Sequence, residues 1–190
     1  IGVTSIRALS DDSFVVGLTA AAALPAAYIS GGVAQTAFGG GTDMYIAKFS
    51  SNNTLTWGTY MGGSSNEVFN DLEVFANGRV AFAGSTSGTI TQVNSAAGNS
   101  SGSDMDGVLG VLNSTATTFN YLDKIGGTSA DRINDVEIVG EVLYWTGSAT
   151  TVSGTANDFP TGVGVYDATE NGGVDVVVGK VNAGGSSGYA

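Results

Sequence analysis

The sequence contains neither cysteine nor histidine, and these two absences exclude several kinds of chemistry. Without them the chain has no disulfide, no thiolate nucleophile, no Ser-His-Asp or Cys-His system, and no zinc site with His or Cys ligands. Any catalysis would have to use carboxylates, lysine, tyrosine or backbone groups. The residue types therefore favour a protein that is not an enzyme.

Positive charge is also scarce. Six lysine and arginine residues stand against 17 aspartate and glutamate residues, which gives a net charge of −11. The six basic residues are scattered singly along the chain. Because binding to phosphate needs clustered Lys and Arg, the sequence predicts no nucleic-acid partner and no capture by an anionic membrane.

No long hydrophobic run predicts a membrane span or a targeting segment. The most apolar stretch, residues 14–29, follows Asp11 and Asp12 and is interrupted by Pro25. We interpret it as a strand that leads into an Ala-rich loop rather than as a signal-peptide core. Because the chain opens with Ile1 rather than Met, we expect that it is a segment or that an upstream piece has been removed.

The chain is rich in internal repetition. Two alternating apolar runs around a short polar turn occur three times, and this pattern predicts three hairpins. They cover residues 5–17, 70–84 and 134–147. In this alignment Ser5 corresponds to Asn70, and Gly17 corresponds to Gly84.

A second recurring element is an aspartate that opens an apolar run, at Asp43, Asp106 and Asp175. In the first two units a further apolar run follows and ends at a Gly-Gly pair, at residues 62–63 and 126–127. The repeat period is 63 residues between the first two aspartates (106 − 43). Each unit offers four short strands, and four antiparallel strands per repeat are typical of a propeller blade.

The order of these motifs resembles the SBBP-type β-propeller repeat of bacterial extracellular proteins. The third unit is the most similar, with Thr146-Gly147-Ser148, Asp158-Phe159-Pro160-Thr161, Tyr166 and Gly172-Gly173-Val174-Asp175 in the family's order. The first unit supplies Gly40-Gly41-Thr42-Asp43 and Thr59-Tyr60-Met61-Gly62-Gly63. Two departures stand out: Asp-Phe-Pro is absent from the first two units, and the second unit has Gly107 and Gly110 where bulkier strand residues are expected. The resemblance implies a propeller fold and an extracellular or cell-surface location.

We therefore predict an all-β fold with about three four-stranded antiparallel blades, at residues 1–66, 67–130 and a truncated 131–190. Together they form one propeller domain or part of one. Propellers hold about 4 to 8 blades, so the ring is incomplete within this chain. Because unpaired edge strands template the addition of another strand, we expect the ends to be completed by copies of the chain or by adjoining blades of a longer chain.

The predicted connections between second and third strands are long, at about residues 20–42, 85–106 and 148–174. Loops of this length are uncommon unless they are functional or disordered. They carry four aromatic residues that are candidates for contact with a surface protein or a glycan, namely Tyr28, Phe38, Phe159 and Tyr166. The alternative is that these rings pack beneath their own loops.

The segment Asp104-Met105-Asp106-Gly107 has the D-x-D-G pattern of a calcium loop. The remaining ligands are missing, because the next acidic residue is Asp123. We favour a structural role for Asp106, in which it accepts backbone N–H bonds in a turn, as Asp43 and Asp175 would. The sequence thus predicts no cofactor, with calcium as the alternative.

A further acidic pattern recurs at Asn70-Asp71 and Asn134-Asp135, followed by Glu73 and Glu137. Paired carboxylates can perform acid and base catalysis. An active site is needed once, however, and this pattern occurs in successive units, so we interpret it as a contact between blades.

Seven aromatic residues in the strands are predicted to form the core between blades: Trp57, Tyr60, Phe69, Phe82, Phe119, Tyr144 and Trp145.

These observations predict a non-catalytic, extracellular β-propeller module of structural or adhesive type. It would serve as a subunit or segment of a surface assembly such as a filament, a surface layer or a virion appendage. The alternative is a glycan-binding or glycan-active propeller whose long loops form the site. That function requires Phe38, Phe159 and Tyr166 to share a cleft with Asp158 and Asp167.

Overall fold

The computed structural model describes residues 3–94, 104–151, 159 and 172–185, and among these residues the chain is all-β. Sheet 1 contains β1 (Val3–Ala8), β2 (Phe14–Ala20), β3 (Asp43–Phe49) and β4 (Leu55–Met61). Sheet 2 contains β5 (Glu67–Val74), β6 (Val80–Thr86), β7 (Asp106–Leu112) and β8 (Phe119–Ile125). Sheet 3 contains β9 (Arg132–Val139), β10 (Val142–Thr151) and β11 (Gly173–Asn182). All neighbouring strands are antiparallel, which confirms the prediction of an all-β fold with antiparallel sheets.

Helical structure within the described ranges is confined to a single 3-10 turn at Ala26–Tyr28. The search for a long apolar helix that could cross a membrane finds none in this part of the chain. In all three sheets the strands pair in chain order, and short turns join the first two strands. These turns contain Asp12, Gly78 and Gly140, whose φ angles are 60°, 82° and 62°. Such left-handed conformations suit Gly and Asp, which explains why these residue types mark the hairpins.

The pairing register defines which residues are equivalent in the three sheets. One row of paired residues across sheet 1 is Ser5, Gly17 and Ile46. The corresponding row in sheet 2 is Asp71, Ala83 and Leu109. In sheet 3 it is Asp135, Thr146 and Val178. Ser5 therefore corresponds to Asp71, and the sequence alignment of the first hairpin is wrong by one residue. The shared glycine misled it, because Gly17 occupies the position of Ala83 rather than that of Gly84.

Consecutive sheets pack face to face, and the first strand of each following sheet makes the contact. β5 lies against β1, β2 and β3, and β9 lies against β5, β6 and β7. One cluster of buried side chains fills the space between sheets 1 and 2, including Met44, Ile46, Phe69 and Leu72. A second fills the space between sheets 2 and 3, including Leu109, Tyr121, Ile133, Val136 and Trp145. Sheet 2 is thus buried on both faces.

Close approach of aromatic rings to strand glycines sets the packing. A Cβ atom at Gly110 would lie 2.2 Å from Phe82 Cζ, and one at Gly179 would lie 2.2 Å from Trp145 Cζ2. Phe82 pairs with Gly110, and Trp145 pairs with Gly179, at the same position of the repeat. Gly110, where the sequence resemblance led us to expect a bulkier residue, therefore makes room for a ring on the neighbouring strand.

Described parts of the long connections in the first two units lie along the outer edge of their own sheet. Ser30 N donates to the Gly58 carbonyl at 3.2 Å, and Tyr60 N donates to the Gln35 carbonyl at 3.0 Å, so residues 30–35 run beside β4. In sheet 2, Val93 and Leu122 exchange both backbone hydrogen bonds, at 2.8 and 2.9 Å. These contacts occupy the edges of β4 and β8, which would otherwise be open to strand addition.

We predict that Gly110→Ala lowers the unfolding free energy by about 1–3 kcal/mol, because the new methyl group overlaps the ring of Phe82. Chemical denaturation measures the change. Gly31→Ala is the matched control, since a Cβ atom there meets nothing within 4 Å. Equal stability of the two variants would show that the ring does not depend on this glycine.

Candidate functional site

The outer face of sheet 3 carries four of the exposed large apolar side chains among the described residues. Val174, Val176 and Val178 point outward from β11 and are 68%, 82% and 69% exposed. Tyr144 on β10 lies on the same face, because it pairs with the exposed Lys180. Contiguous apolar surface of this kind marks a contact site, whereas single exposed apolar residues are ordinary.

The same positions are buried in the other two sheets. Val178 is equivalent to Leu109 and Ile46, which are 0% and 1% exposed. Tyr144 is equivalent to Ala81, which is fully buried beneath sheet 3. The face that sheets 1 and 2 cover with the next sheet is therefore the face that sheet 3 presents to solvent.

Charged residues border this face along the first strand of sheet 3. Asp135 and Glu137 are exposed on β9 and pair with Thr146 and Tyr144. A shallow groove of about 410 Å³ lies between these carboxylates and Lys180. The groove gives the apolar surface an acidic side and one basic residue.

The opposite end of the stack exposes the other half of the repeated contact. Ile6 on β1 is 56% exposed, whereas the equivalent Leu72 on β5 and Val136 on β9 are 0% and 2% exposed. Those two residues point toward the preceding sheet, and Ile6 has no preceding sheet among the described residues. Sheet 1 and sheet 3 thus present complementary halves of the same contact.

Polar contacts between first strands accompany the apolar packing. Ser5 Oγ donates to Asp71 Oδ1 at 2.8 Å, and the Arg7 guanidinium forms ion pairs with Glu73 and Asp71. At the next junction, Val136 N donates to Asp71 Oδ2 at 3.4 Å. A hydrogen bond with Asp71 raises the pKa of Asp135, with burial adding to the effect. Two carboxyl groups can share a hydrogen bond only while one holds a proton, so this contact favours the protonated form of Asp135.

A second set of carboxylates lies at the Gly-Gly turn that ends sheet 1. Asp43 and Glu67 are both 0% exposed. Asp43 Oδ2 accepts from Gly39 N at 2.8 Å, as the sequence predicted for a turn, and Glu67 Oε2 accepts from Gly63 N at 2.8 Å. A Cβ atom at Gly62 would lie 2.5 Å from Glu67 Oε2 and 2.7 Å from Asp43 Oδ1, so the two carboxyl groups flank this glycine.

The arrangement repeats between sheets 2 and 3. Asp106 and Asp131 are 0% and 1% exposed and flank Gly126, where a Cβ atom would lie 2.3 Å from Asp106 Oδ1 and 2.8 Å from Asp131 Oδ2. Asp131 accepts from Gly127 N at 2.6 Å and from Thr150 N at 2.9 Å. Lys124 Nζ lies 2.9 Å from Asp106 Oδ2, as an ion pair rather than a well-aligned hydrogen bond. In sheet 1 the neutral Gln35 donates to Asp43 instead, at 3.3 Å.

Burial governs the ionisation of these groups. It raises the pKa of Asp43 and Glu67, and the backbone and side-chain donors offset only part of the effect. Burial raises the pKa of Asp106 from 3.8 to about 6, although Lys124 acts in the opposite direction. Charged carboxylates are costly in such positions because they lose their hydration.

The same geometry bears on the predicted calcium alternative. Asp104 is exposed while Asp106 is buried, so the D-x-D-G residues do not converge. No cluster of three metal-ligating acidic side chains occurs in the ranges that the structure describes. Calcium takes six to eight oxygen ligands, and a pair of carboxylates at each Gly-Gly turn supplies too few of them.

Of the predicted contact aromatics, the three that the structure describes do not form one surface. Tyr28 is 47% exposed at the end of the 3-10 turn, while Phe38 packs edge-on against Tyr60 with 5.9 Å between ring centroids. Phe159 is 8% exposed and belongs to the cluster between sheets 2 and 3, which agrees better with the alternative of a packed ring than with a contact residue. Tyr166 lies outside the described residues, as do Asp158 and Asp167.

Two parts of the site were missed from the sequence. Tyr144, expected in the core, is 44% exposed and belongs to the outer face of sheet 3. The buried carboxylates Glu67 and Asp131 were not singled out, although each follows the second glycine of its Gly-Gly pair by four positions. That repeated spacing was the available signal.

No model of a known protein family matches the chain, and a search of curated proteins finds none that matches it.

We predict that the unfolding free energy is largest in acid and falls as the pH rises from about 4 through 6. A group whose pKa is higher in the folded chain stabilises the fold while it is protonated, and this contribution is lost as it ionises. Denaturation at a series of pH values measures the decline. Asp106→Asn should reduce the decline, whereas Asp12→Asn, in an exposed turn, should not. Stability that increases over this pH range would contradict the assignment.

Proposed function

We propose that the chain is a non-catalytic structural module of an extracellular assembly, with its sheets arranged as successive blades of an incomplete β-propeller. The outer face of sheet 3 carries the proposal. Val176 and Val178 are 82% and 69% exposed, at strand positions that are buried in sheets 1 and 2. A repeat that cannot bury its own apolar face is stabilised by stacking against a neighbour, so this face is the contact surface of the module.

The topology supports the propeller arrangement. Each sheet is built from consecutive strands paired in chain order, and the first strand of one sheet packs on the face of the sheet before it. Successive small antiparallel sheets that contact only their neighbours are typical of propeller blades. The resemblance to the SBBP-type repeat is part of this proposal, and the extracellular location follows from it.

The position of the carboxylates supports a structural rather than a catalytic role. Asp43, Glu67, Asp106 and Asp131 recur as pairs at successive junctions and are at most 1% exposed. A substrate could not reach them without separating the sheets. Their repetition suits a contact that holds every junction, whereas a reaction centre is needed once.

We predict that lysine at positions 176 and 178 releases the chain from its native surface. The double variant Val176→Lys/Val178→Lys adds two charges to the contact face but changes no buried residue, so the isolated chain should fold as before. Retention on the producing cells after washing measures the effect. The control carries Ser51→Lys and Ala76→Lys, at exposed positions outside sheet 3. Equal retention of both variants would overturn the proposed function.

A further inference from the structure

The junction between sheets needs only part of each sheet. β5 contacts the first three strands of sheet 1, and β9 contacts the first three strands of sheet 2. Sheet 3 has three described strands, β9, β10 and β11, which correspond to the strands that receive a neighbour in the other sheets. Its outer face is therefore complete as a receiving surface.

The strand that such a surface receives is equivalent to β5 and β9, and within this chain the remaining equivalent strand is β1. The long connection of sheet 1 packs on the β3–β4 side of its outer face, where Leu24, Ile29 and Phe38 lie against Tyr45 and Tyr60. On β1, by contrast, Ile6 is 56% exposed. The face of β1 that carries Ile6 is therefore exposed and available for contact with another sheet.

We propose that the outer face of sheet 3 binds β1 of a second copy of this chain, head to tail, in the register of the two internal junctions. This inference rests on the proposed function and names the partner of that contact face. Ile6 of the second copy then occupies the place that Leu72 and Val136 have at the internal junctions, against Val178 and Tyr144.

Charge complementarity favours this partner. At the first junction Arg7 pairs with Glu73, and Ser5 donates to Asp71. Glu137 and Asp135 are equivalent to those two carboxylates, so in the same register they meet Arg7 and Ser5 of the second copy. The Arg7 side chain is 36% exposed and can serve both contacts. A third sheet of another copy would instead oppose Asp135 and Glu137 with the same two carboxylates.

Two copies can form this contact twice. The contact joins different faces of the two copies, so it is heterologous. Such contacts form a closed ring when the rotations from one copy to the next complete a full turn. Two chains supply six sheets, which lies within the range of about 4 to 8 blades found in closed propellers. The expected species is a dimer in which both third sheets are covered.

Sedimentation of the purified 190-residue chain over a range of concentrations tests this inference. We expect a reversible dimer. Val178→Asp and Ile6→Asp should each raise the dissociation constant by at least about tenfold, since about 1.4 kcal/mol of lost contact has that effect. Both residues are exposed in the single chain, so neither change should lower its thermal stability. Ala76→Asp, at an exposed turn, is the control and should still dimerise.

Mixing the two variants sharpens the test. An Ile6→Asp chain keeps an intact third sheet and a Val178→Asp chain keeps an intact β1, so the mixture should form a heterodimer through one unaltered contact. A monomer at every concentration would overturn the inference. So would a dimer that Val178→Asp disrupts and Ile6→Asp does not, because it would be joined through two third sheets. Retention on cells does not depend on the identity of the partner, so it tests the proposed function separately.

Discussion

The structure depends on the burial of one sheet face by the next sheet. A small antiparallel sheet of seven- or eight-residue strands has two faces, and neither hairpin turns nor backbone hydrogen bonds can shield both from water. Sheet 2 resolves this by being covered on both sides, and its strand β6 is buried along its whole length. Each buried Val or Leu side chain contributes roughly 1.5–3 kcal/mol, so the two internal junctions are the main source of stability. The polar residues at the strand ends are arranged around these junctions.

The polar residues illustrate this adaptation. Stacking the sheets brings together the strand ends, where backbone N–H groups of the Gly-Gly turns need acceptors. Glu67 and Asp131 supply them, but their burial beside Asp43 and Asp106 places two acidic groups at each turn. Lys124 offsets this negative charge at the second junction, whereas the donors described at the first junction, such as Gln35, are neutral. The N–H groups of Gly63 and Gly127 are thus satisfied. Asp43 Oδ1 and both carboxylate oxygens of Asp106 are buried and lack a well-aligned hydrogen bond among the described residues, so the junctions remain sensitive to proton concentration.

Much of the fold could be predicted from the sequence, because a hairpin is encoded by a short, contiguous sequence pattern. Alternating apolar residues and turn residues such as Gly78 and Gly140 gave the strands and their order in the chain. The register of the first hairpin could not be obtained in this way. The sequence alignment matched Gly17 with Gly84, whereas the strand pairing in the structure makes Gly17 equivalent to Ala83. The exposure of Tyr144 was equally inaccessible, because the equivalent Ala81 is buried by a following sheet and no such sheet covers sheet 3 among the described residues. Local pattern identifies a strand face, whereas burial depends on what lies across it.

The two end sheets differ in how they treat the uncovered face, and the difference has a physical reason. Sheet 1 shields its outer strands with its own long connection, in which Phe38 packs against Tyr60 of β4 and Leu24 N donates a hydrogen bond to the Tyr60 hydroxyl at 2.7 Å. Such a covering blocks the edge of β4 and limits contact to β1. Sheet 3 exposes the valines of β11. Valine has a high β-propensity and an apolar side chain, so this strand alone would associate with other exposed strands unspecifically. The carboxylates of β9 restrict that pairing, because any partner must bring positive charge or hydrogen-bond donors to the same strand.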